Sequence, residues 1–491
     1  MTQTNFIKMK NIILKGFLLV ALILHGSACN DFEDININPN APTAVSPSAL
    51  LTNSLRYIGM NGTLFSASRR NIPNLYIQHF AETQYTEDSR YQTINFDFSG
   101  WFASPLIDLK HIIDLNTDDA TKADALSGGS NANQIAVAMI VQSFIFHHIT
   151  DRWGPIPMSQ SLQGRDNFKP AYDSQQQVYD QIFAQLKSAI AMMDGGAPVK
   201  GDQLFGGDMG MWRKFANSIR MVMALRLSEV DPSKGQAEFN SAMSDGVIGD
   251  GEDIMYPFLA EASNENPWYT DQITRTDNAI GSTLVDYMKP LNDPRLNIYA
   301  DPAVNYGDVR GMPVGISNDR AGAIPNDEVS FPGNPAVESQ NAPGPLLTRS
   351  QILFCMAEAA MRGWISGDPG QLYASAIQAS MDQWGVTDQA AIDAFLAQDG
   401  VAWDAANGMS LIAHQKWVAL YNQGYEAWAE WRRLDLPVLE PAEDAIHPSG
   451  QIPVRQGYPV SERDNNSANY EAAVGMLGGP DDLTTPLWWD K

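Results

Sequence analysis

The chain has 491 residues, 44% hydrophobic and 18% charged, with a formal net charge of -25. That surplus of acid repels nucleic-acid phosphates, which argues against a nucleic-acid function, and it disfavours strongly polyanionic ligands unless a local basic pocket exists. Two cysteines in so long a chain give no disulfide framework, so stability must come from a packed core.

The chain opens with Lys8, Lys10 and Lys15, then nine apolar residues, Gly16 to Leu24, then Gly26-Ser27-Ala28 and Cys29. Nine apolar residues are too few to span a bilayer, which takes about 20. The pattern is that of an export signal. A cysteine directly after the small residues fits a bacterial lipoprotein, in which Cys29 carries the lipid and becomes the first mature residue. Two or three acyl chains hold a soluble domain on a membrane durably. Losing the signal removes three lysines and no acid, so the mature chain is more acidic still. The acidic run Asn30-Asp31-Phe32-Glu33-Asp34 reads as a tether. Residues 1–28 are therefore expected to be signal, 29–44 tether and 45–491 one domain, with no further apolar run long enough to span a membrane.

Beyond the tether a 3.6-residue period dominates. The first strong helix spans Asn133 to Ile149, with Ile135, Met139, Phe146 and Ile149 apolar, ending at Thr150-Asp151-Arg152-Trp153-Gly154-Pro155. Asp173-Ser174-Gln175-Gln176 predicts the next start, with the aspartate capping and a glutamine reaching back. Val178, Ile182, Leu186 and Ile190 follow on one face. A third helix runs from about Met211 to Val230, stopped by Asp231-Pro232. A fourth starts at the capping box Thr348-Arg349-Ser350-Gln351 and reaches Trp364. Gly367-Asp368-Pro369-Gly370 turns the chain into a partner over Leu372 to Trp384. A helix, a short turn and a second helix, with alanines at the crossing, form the unit of tetratricopeptide-like repeats. Further helices are expected over Leu411 to Asn422 and Tyr425 to Arg432. Residues 246–277 and 291–344 lack periodicity and are rich in Gly, Pro, Asn and Asp, which predicts an irregular lobe over the helical scaffold. The few strands expected lie near Ile452 to Val460. The fold class is thus mostly α, a helix-pair scaffold with a loop-rich lobe.

The sequence holds no HExxH, paired CxxC, GxSxG, GxxxxGK[ST] or GxGxxG motif. His147 and His148 are adjacent and diverge by about 100° on a helix, so they do not share a metal. Asp34, Asn36 and Asn38 imitate the start of a calcium loop, but Pro39 replaces the turn glycine and Val45 the final glutamate. Cys355 sits in an apolar helical pattern as a core residue. The chain is read as no enzyme, with no cofactor and no metal. Aromatic residues are the better lead: Tyr85, Tyr91, Phe96, Phe98 and Trp101 crowd one polar stretch, and Trp268 and Tyr269 lie beside Asn264, Asn266 and Asp271. Flat rings pack on the C–H faces of sugars or on peptide side chains, and neighbouring amides and carboxylates bind hydroxyls. Core packing is the competing explanation for each ring. Tyr85, Tyr91, Trp101, Trp268 and Tyr269 are the candidate ligand contacts.

Nine short blocks in order carry a family resemblance. They are Asn36-Ile37-Asn38-Pro39-Asn40; Thr150-Asp151-Arg152-Trp153-Gly154-Pro155-Ile156-Pro157; Tyr172-Asp173-Ser174-Gln175; Trp212 to Ser218 with Arg220 and Arg226; Ala357-Glu358-Ala359-Ala360 with Arg362-Gly363-Trp364; Gln415-Lys416-Trp417; Glu426-Ala427-Trp428 with Arg432-Arg433; Pro453-Val454-Arg455 with Tyr458-Pro459; and Trp488-Trp489-Asp490. Together they resemble the SusD/RagB family of Bacteroidota outer-membrane lipoproteins. The resemblance implies four tetratricopeptide-like helix pairs, capture of a glycan or oligopeptide at the cell surface, and a partner, a SusC-like TonB-dependent transporter on which the protein sits as a lid. It transfers no ligand residues, since the matching blocks are scaffold. A lipid-anchored surface hydrolase and a helical-repeat adaptor for another protein are the competing functions.

Overall fold

Helix starts in this chain are set by side chains that accept the open amides of a first turn. The computed structural model describes residues 45–63, 72–273, 275–333 and 339–490. The expected signal, Cys29 and the whole of the expected tether lie outside these residues. The helices of nine or more residues are α1 (Pro47–Ile58), α2 (Ile107–Thr117), α3 (Asn131–Trp153), α4 (Gln175–Met192), α5 (Met209–Arg226), α6 (Pro232–Asp245), α7 (Arg349–Met361), α8 (Pro369–Gln383), α9 (Gln389–Ala397), α10 (Gly408–Ala419), α11 (Gly424–Leu434) and α12 (Ser467–Leu477). Ser130 Oγ accepts from the Asn133 amide to open α3, and the Asp194 carboxylate in turn accepts from Ser130 Oγ at 2.8 Å. The capping box of α4 is Ser174 with Gln177, one residue later than expected. Asp173 instead accepts the Met158 and Ser159 amides at 3.0 and 2.7 Å, bracing the turn before the helix. Thr348 caps α7 as predicted, accepting from the Gln351 amide, but the box does not close, since the Gln351 side chain donates to Glu426 at 2.8 Å instead.

Asp231-Pro232 is a start rather than a stop. Asp231 caps α6, whose first residue, Pro232, loses nothing by lacking an amide hydrogen there. The sequence pattern missed α6 because its apolar stripe is thin: only Gly235, Phe239 and Ala242 are buried.

Consecutive helices pack in pairs, α3 with α4, α5 with α6, α7 with α8 and α10 with α11. Neighbouring pairs are joined where α5 meets α4 and α7, and where α7 meets α10. This is the tetratricopeptide-like scaffold. Helix α3 is long and apolar enough to cross a membrane, contrary to the sequence expectation, but 83% of its most apolar window is buried inside the protein. It is the central core helix, covered by α2, α4 and α5. The main core gathers Trp153, Trp212, Trp428 and Trp489. A chain of buried ions crosses it. Arg226 donates to Glu426 at 2.7 Å and pairs with Glu430, Lys416 reaches Glu430 at 2.7 Å, and Arg433 grips Glu358 through two bonds of 2.6 Å. Burial alone would raise the Glu358 carboxyl, but Arg433, helped by Arg362, outweighs it and holds the group at about 2. His147 Nε2 lies 2.9 Å from the Asp151 carboxylate of this network, and burial pushes the His148 imidazole down to about 3, so both are structural.

No strand forms near Ile452 to Val460, where Gly457 makes only an isolated bridge to Asn95. The strands lie elsewhere: β1 (Phe80–Glu82), β2 (Ile254–Tyr256), β3 (Asn278–Ile280) and β4 (Gly344–Leu347). β1 pairs antiparallel with β3, Phe80 opposite Ile280 and Glu82 opposite Asn278, and β2 pairs antiparallel with β4. β2 and the first residue of β4, Gly344, come from the segments expected to be irregular, and β3 begins directly after the first of them. Those segments are therefore stitched to the scaffold by short ladders.

Candidate functional site

Two neighbouring depressions meet at Thr93, which lines both. The first is a cleft of about 430 Å³ whose walls come from distant parts of the chain: Tyr57 in the last turn of α1 and Asn61 just after it, residues 93–101, Arg152 at the end of α3 and Tyr425 at the start of α11. Local hydrogen bonds fix the 93–101 wall. Gly457 donates to Ile94 O at 2.9 Å, Phe96 donates to Gly457 O at 3.0 Å, and Asn95 Nδ2 donates to Tyr458 O at 2.8 Å. The approach is close enough that a side chain at Gly457 would place its Cβ 2.7 Å from Ile94 O. Asp97 accepts the amide and hydroxyl of Ser99, both at 2.8 Å, and so turns the chain into the short helix that carries Trp101. Trp101 is 7% exposed and meets Tyr57 edge-on at 5.1 Å, leaving part of its surface on the cleft. Arg152 lies between two rings, its central carbon 4.2 Å from the Trp153 ring centre and 4.0 Å from that of Tyr425.

The second depression is a more polar trough of about 520 Å³ at the end of the β1–β3 ladder, lined by Glu82, Tyr85, Asp88, Arg275 and Asp277 among others. Tyr85 is 61% exposed and sits at φ 56°, with the Arg275 guanidinium 5.7 Å from its ring. Arg275 is held by Asp277, whose backbone carbonyl also accepts from the Thr83 amide at 2.8 Å. Burial pushes the Glu82 carboxyl up to about 8, even though it accepts the Ser89 amide at 2.9 Å. At neutral pH this group therefore carries its proton and can donate a hydrogen bond. No group of three or more His, Cys, Asp or Glu side chains among the described residues is arranged to hold a metal ion.

The sequence candidates divide. Tyr85 and Trp101 lie on the two depressions. Tyr91 and Trp268 are core residues, 2% and 1% exposed, which corrects the expectation that their rings face a ligand. The Tyr91 hydroxyl accepts from the Ala442 amide at 2.9 Å, and Trp268 packs on Phe80 with ring centres 4.9 Å apart. Asn266, expected to help bind hydroxyls, instead caps the short helix Pro267–Gln272 that drives Trp268 inward. Tyr269 is half-buried on that helix and lines neither depression.

A model of proteins described as "Starch-binding associating with outer membrane", SusD-like, matches residues 39–459. The chain belongs to the SusD-like family. Among solved structures, a chitin-binding protein is similar at 25% identity with a TM-score of 0.80, covering 91% of this chain and all of its own. A chitin-binding SusD homologue from Flavobacterium johnsoniae shares 23% identity and a TM-score of 0.74, covering 91% of this chain and 98% of its own. A SusD homologue from Bacteroides fragilis shares 23% and a TM-score of 0.79, covering 91% and 100%. No curated protein matches.

Within this SusD-like chain, sequence reasoning missed Tyr57, Asn95, Arg152 and Tyr425 in the cleft, and Glu82 and Arg275 in the trough. Arg152 had been visible only as part of a scaffold block. What could have singled it out is its place at the last turn of the long, apolar core helix α3, where a charge has to find either water or a partner.

Proposed function

We propose that the protein is a lipid-anchored, non-catalytic glycan receptor of the outer membrane that holds its ligand in the cleft beside Trp101 and passes it, as a lid, to a SusC-like TonB-dependent transporter. The observation that carries this reading is the cleft itself. Aromatic surfaces at Tyr57, Trp101 and Tyr425 surround a space large enough for a sugar ring, and Asn61, Asn95 and Arg152 stand on its rim. Stacking on flat rings with amide and guanidinium groups at the edge suits a carbohydrate. The family description, and similar structures named for chitin binding, favour a glycan over an oligopeptide. Tyr85 in the adjoining trough supplies a second, more exposed contact for a longer chain. Anchoring through Cys29 and delivery to a transporter rest on the sequence resemblance.

Calorimetry on the full protein in detergent, against a panel of oligosaccharides and peptides, tests the reading. Binding of a glycan that weakens in Trp101→Ala or Tyr425→Ala is expected. Peptide binding alone, or release of new reducing ends from the glycans, would refute it. A large outer-membrane barrel should co-purify, and Cys29→Ala should free the protein from the membrane.

A further inference from the structure

Buried arginines in this protein come with acceptors. Arg220, Arg226, Arg295, Arg433 and Arg455 each pair with a carboxylate, and Arg432 donates to the Trp428 and Val454 carbonyls. Arg152 has neither a carboxylate nor a carbonyl, only a side-chain amide. It is 8% exposed, and Nε donates to Gln456 Oε1 at 2.8 Å. Nη1 and Nη2 donate to no group among the described residues, where no carboxylate comes within ion-pair distance either. Nor are these two nitrogens sealed in the interior, for Arg152 is part of the cleft wall. The one carboxylate on that wall, Asp97, is engaged by Ser99.

A guanidinium largely removed from water without a counter-ion is costly, and contact with Trp153 and Tyr425 offsets only part of that. Burial lowers its hold on the proton, as expected of a cation lacking a facing anion. The geometry narrows what can complete it. The Trp153 and Tyr425 rings lie within 4.2 Å of the central carbon and the Nε edge is taken by Gln456, so the donors left open are those of Nη1 and Nη2. Two parallel N–H donors there match the two oxygens of a carboxylate.

We propose that the cleft takes a uronic acid unit of an acidic glycan, its carboxylate paired end-on with Nη1 and Nη2 of Arg152 and its ring against Trp101. This rests on the cleft being the glycan site. It also locates the local basic pocket without which the net charge of -25 would argue against an anionic ligand. Because the rest of the protein repels polyanions, one carboxylate read at close range is the form of recognition open to it.

The test uses the full protein in detergent and short oligomers of galacturonate, mannuronate and glucuronate, each beside its methyl ester, with chitotetraose as the neutral reference. At least one free acid should bind ten-fold or more tighter than its ester. Arg152→Gln should abolish that preference and Arg152→Lys should keep part of it. The acid–ester comparison in the unaltered protein stands even if Arg152→Gln fails to fold. Acid and ester binding alike, with both lost in Trp101→Ala, would overturn the carboxylate assignment and leave the cleft as the glycan site. Preference for chitotetraose would do the same. Binding of no glycan at all would overturn both.

Discussion

Replacing Trp268 by alanine separates a core role from a ligand role. The indole is 1% exposed, packed on Phe80 at 4.9 Å, and Phe80 leans on Tyr421 at 5.3 Å. Truncating a buried Trp costs about 3–5 kcal/mol through lost contacts and the cavity left behind. Part of this is returned, because Trp268 Nε1 is buried with no acceptor among the described residues, and removing such a donor relieves about 1–3 kcal/mol. A net loss of about 2–3 kcal/mol remains. Unfolding entropy of about 2.1 cal/mol/K per residue over a domain of this size amounts to roughly 0.9 kcal/mol/K, so the melting temperature should fall by about 3 °C. Trp268→Phe keeps most of the packing, drops the stranded N–H and should melt within about 1 °C of the parent. Tyr85→Ala, at an exposed ring, should leave stability within about 0.5 kcal/mol. Thermal denaturation followed by circular dichroism reads all three. An unchanged melting temperature for Trp268→Ala together with lost glycan binding would refute the reasoning and return the indole to the ligand site.

Three further outcomes follow from the same contacts. Glu82 keeps its proton up to about 8 in the folded chain against an ordinary 4.5, so its contribution to stability is full below pH 4.5 and is lost as pH climbs toward 8. Glu82→Gln should therefore gain on the parent in melting temperature between pH 5 and 9, and a constant gap would contradict the assignment. Gly457→Ala puts a methyl 2.7 Å from Ile94 O, a backbone atom that cannot swing aside, so a loss of about 1–3 kcal/mol should accompany weaker glycan binding in urea titration and calorimetry. Arg433→Met leaves Glu358 with the partly exposed Arg362 as its remaining partner and should cost about 3–5 kcal/mol by urea denaturation, whereas Arg433→Met with Glu358→Met should recover part of that loss. If the double variant is no better than the single one, the two side chains are not coupled.

The helical scaffold was legible because its signals are local. Thr348 with Gln351, the four-residue repeat of Val178, Ile182, Leu186 and Ile190, and the turn before Pro369 each declare a helix within one or two turns of chain. Errors came where one residue type serves two ends, as at Asp231-Pro232, or where a ladder is held by a partner far away, as with β1 and β3. The cleft was legible only in part for the same reason. Trp101 stood out as an aromatic in a polar run, but so did Trp268, and composition does not say which way a short helix turns its ring; the Asn266 cap decides that. Tyr57, Arg152 and Tyr425 become neighbours only through packing of α1, α3 and α11, which no local spacing encodes.

Because the cleft draws its walls from four stretches widely separated in the chain, an occupant would staple them together, and the unfolded polypeptide offers nothing equivalent to bind. Saturating a site at 100 times its dissociation constant adds about 2.7 kcal/mol to the native state. That corresponds to roughly 3 °C in a protein of this length. Melting curves recorded with unlabelled sugars in multiwell format would thus serve as a ligand screen, in which the molecule reports its own diet.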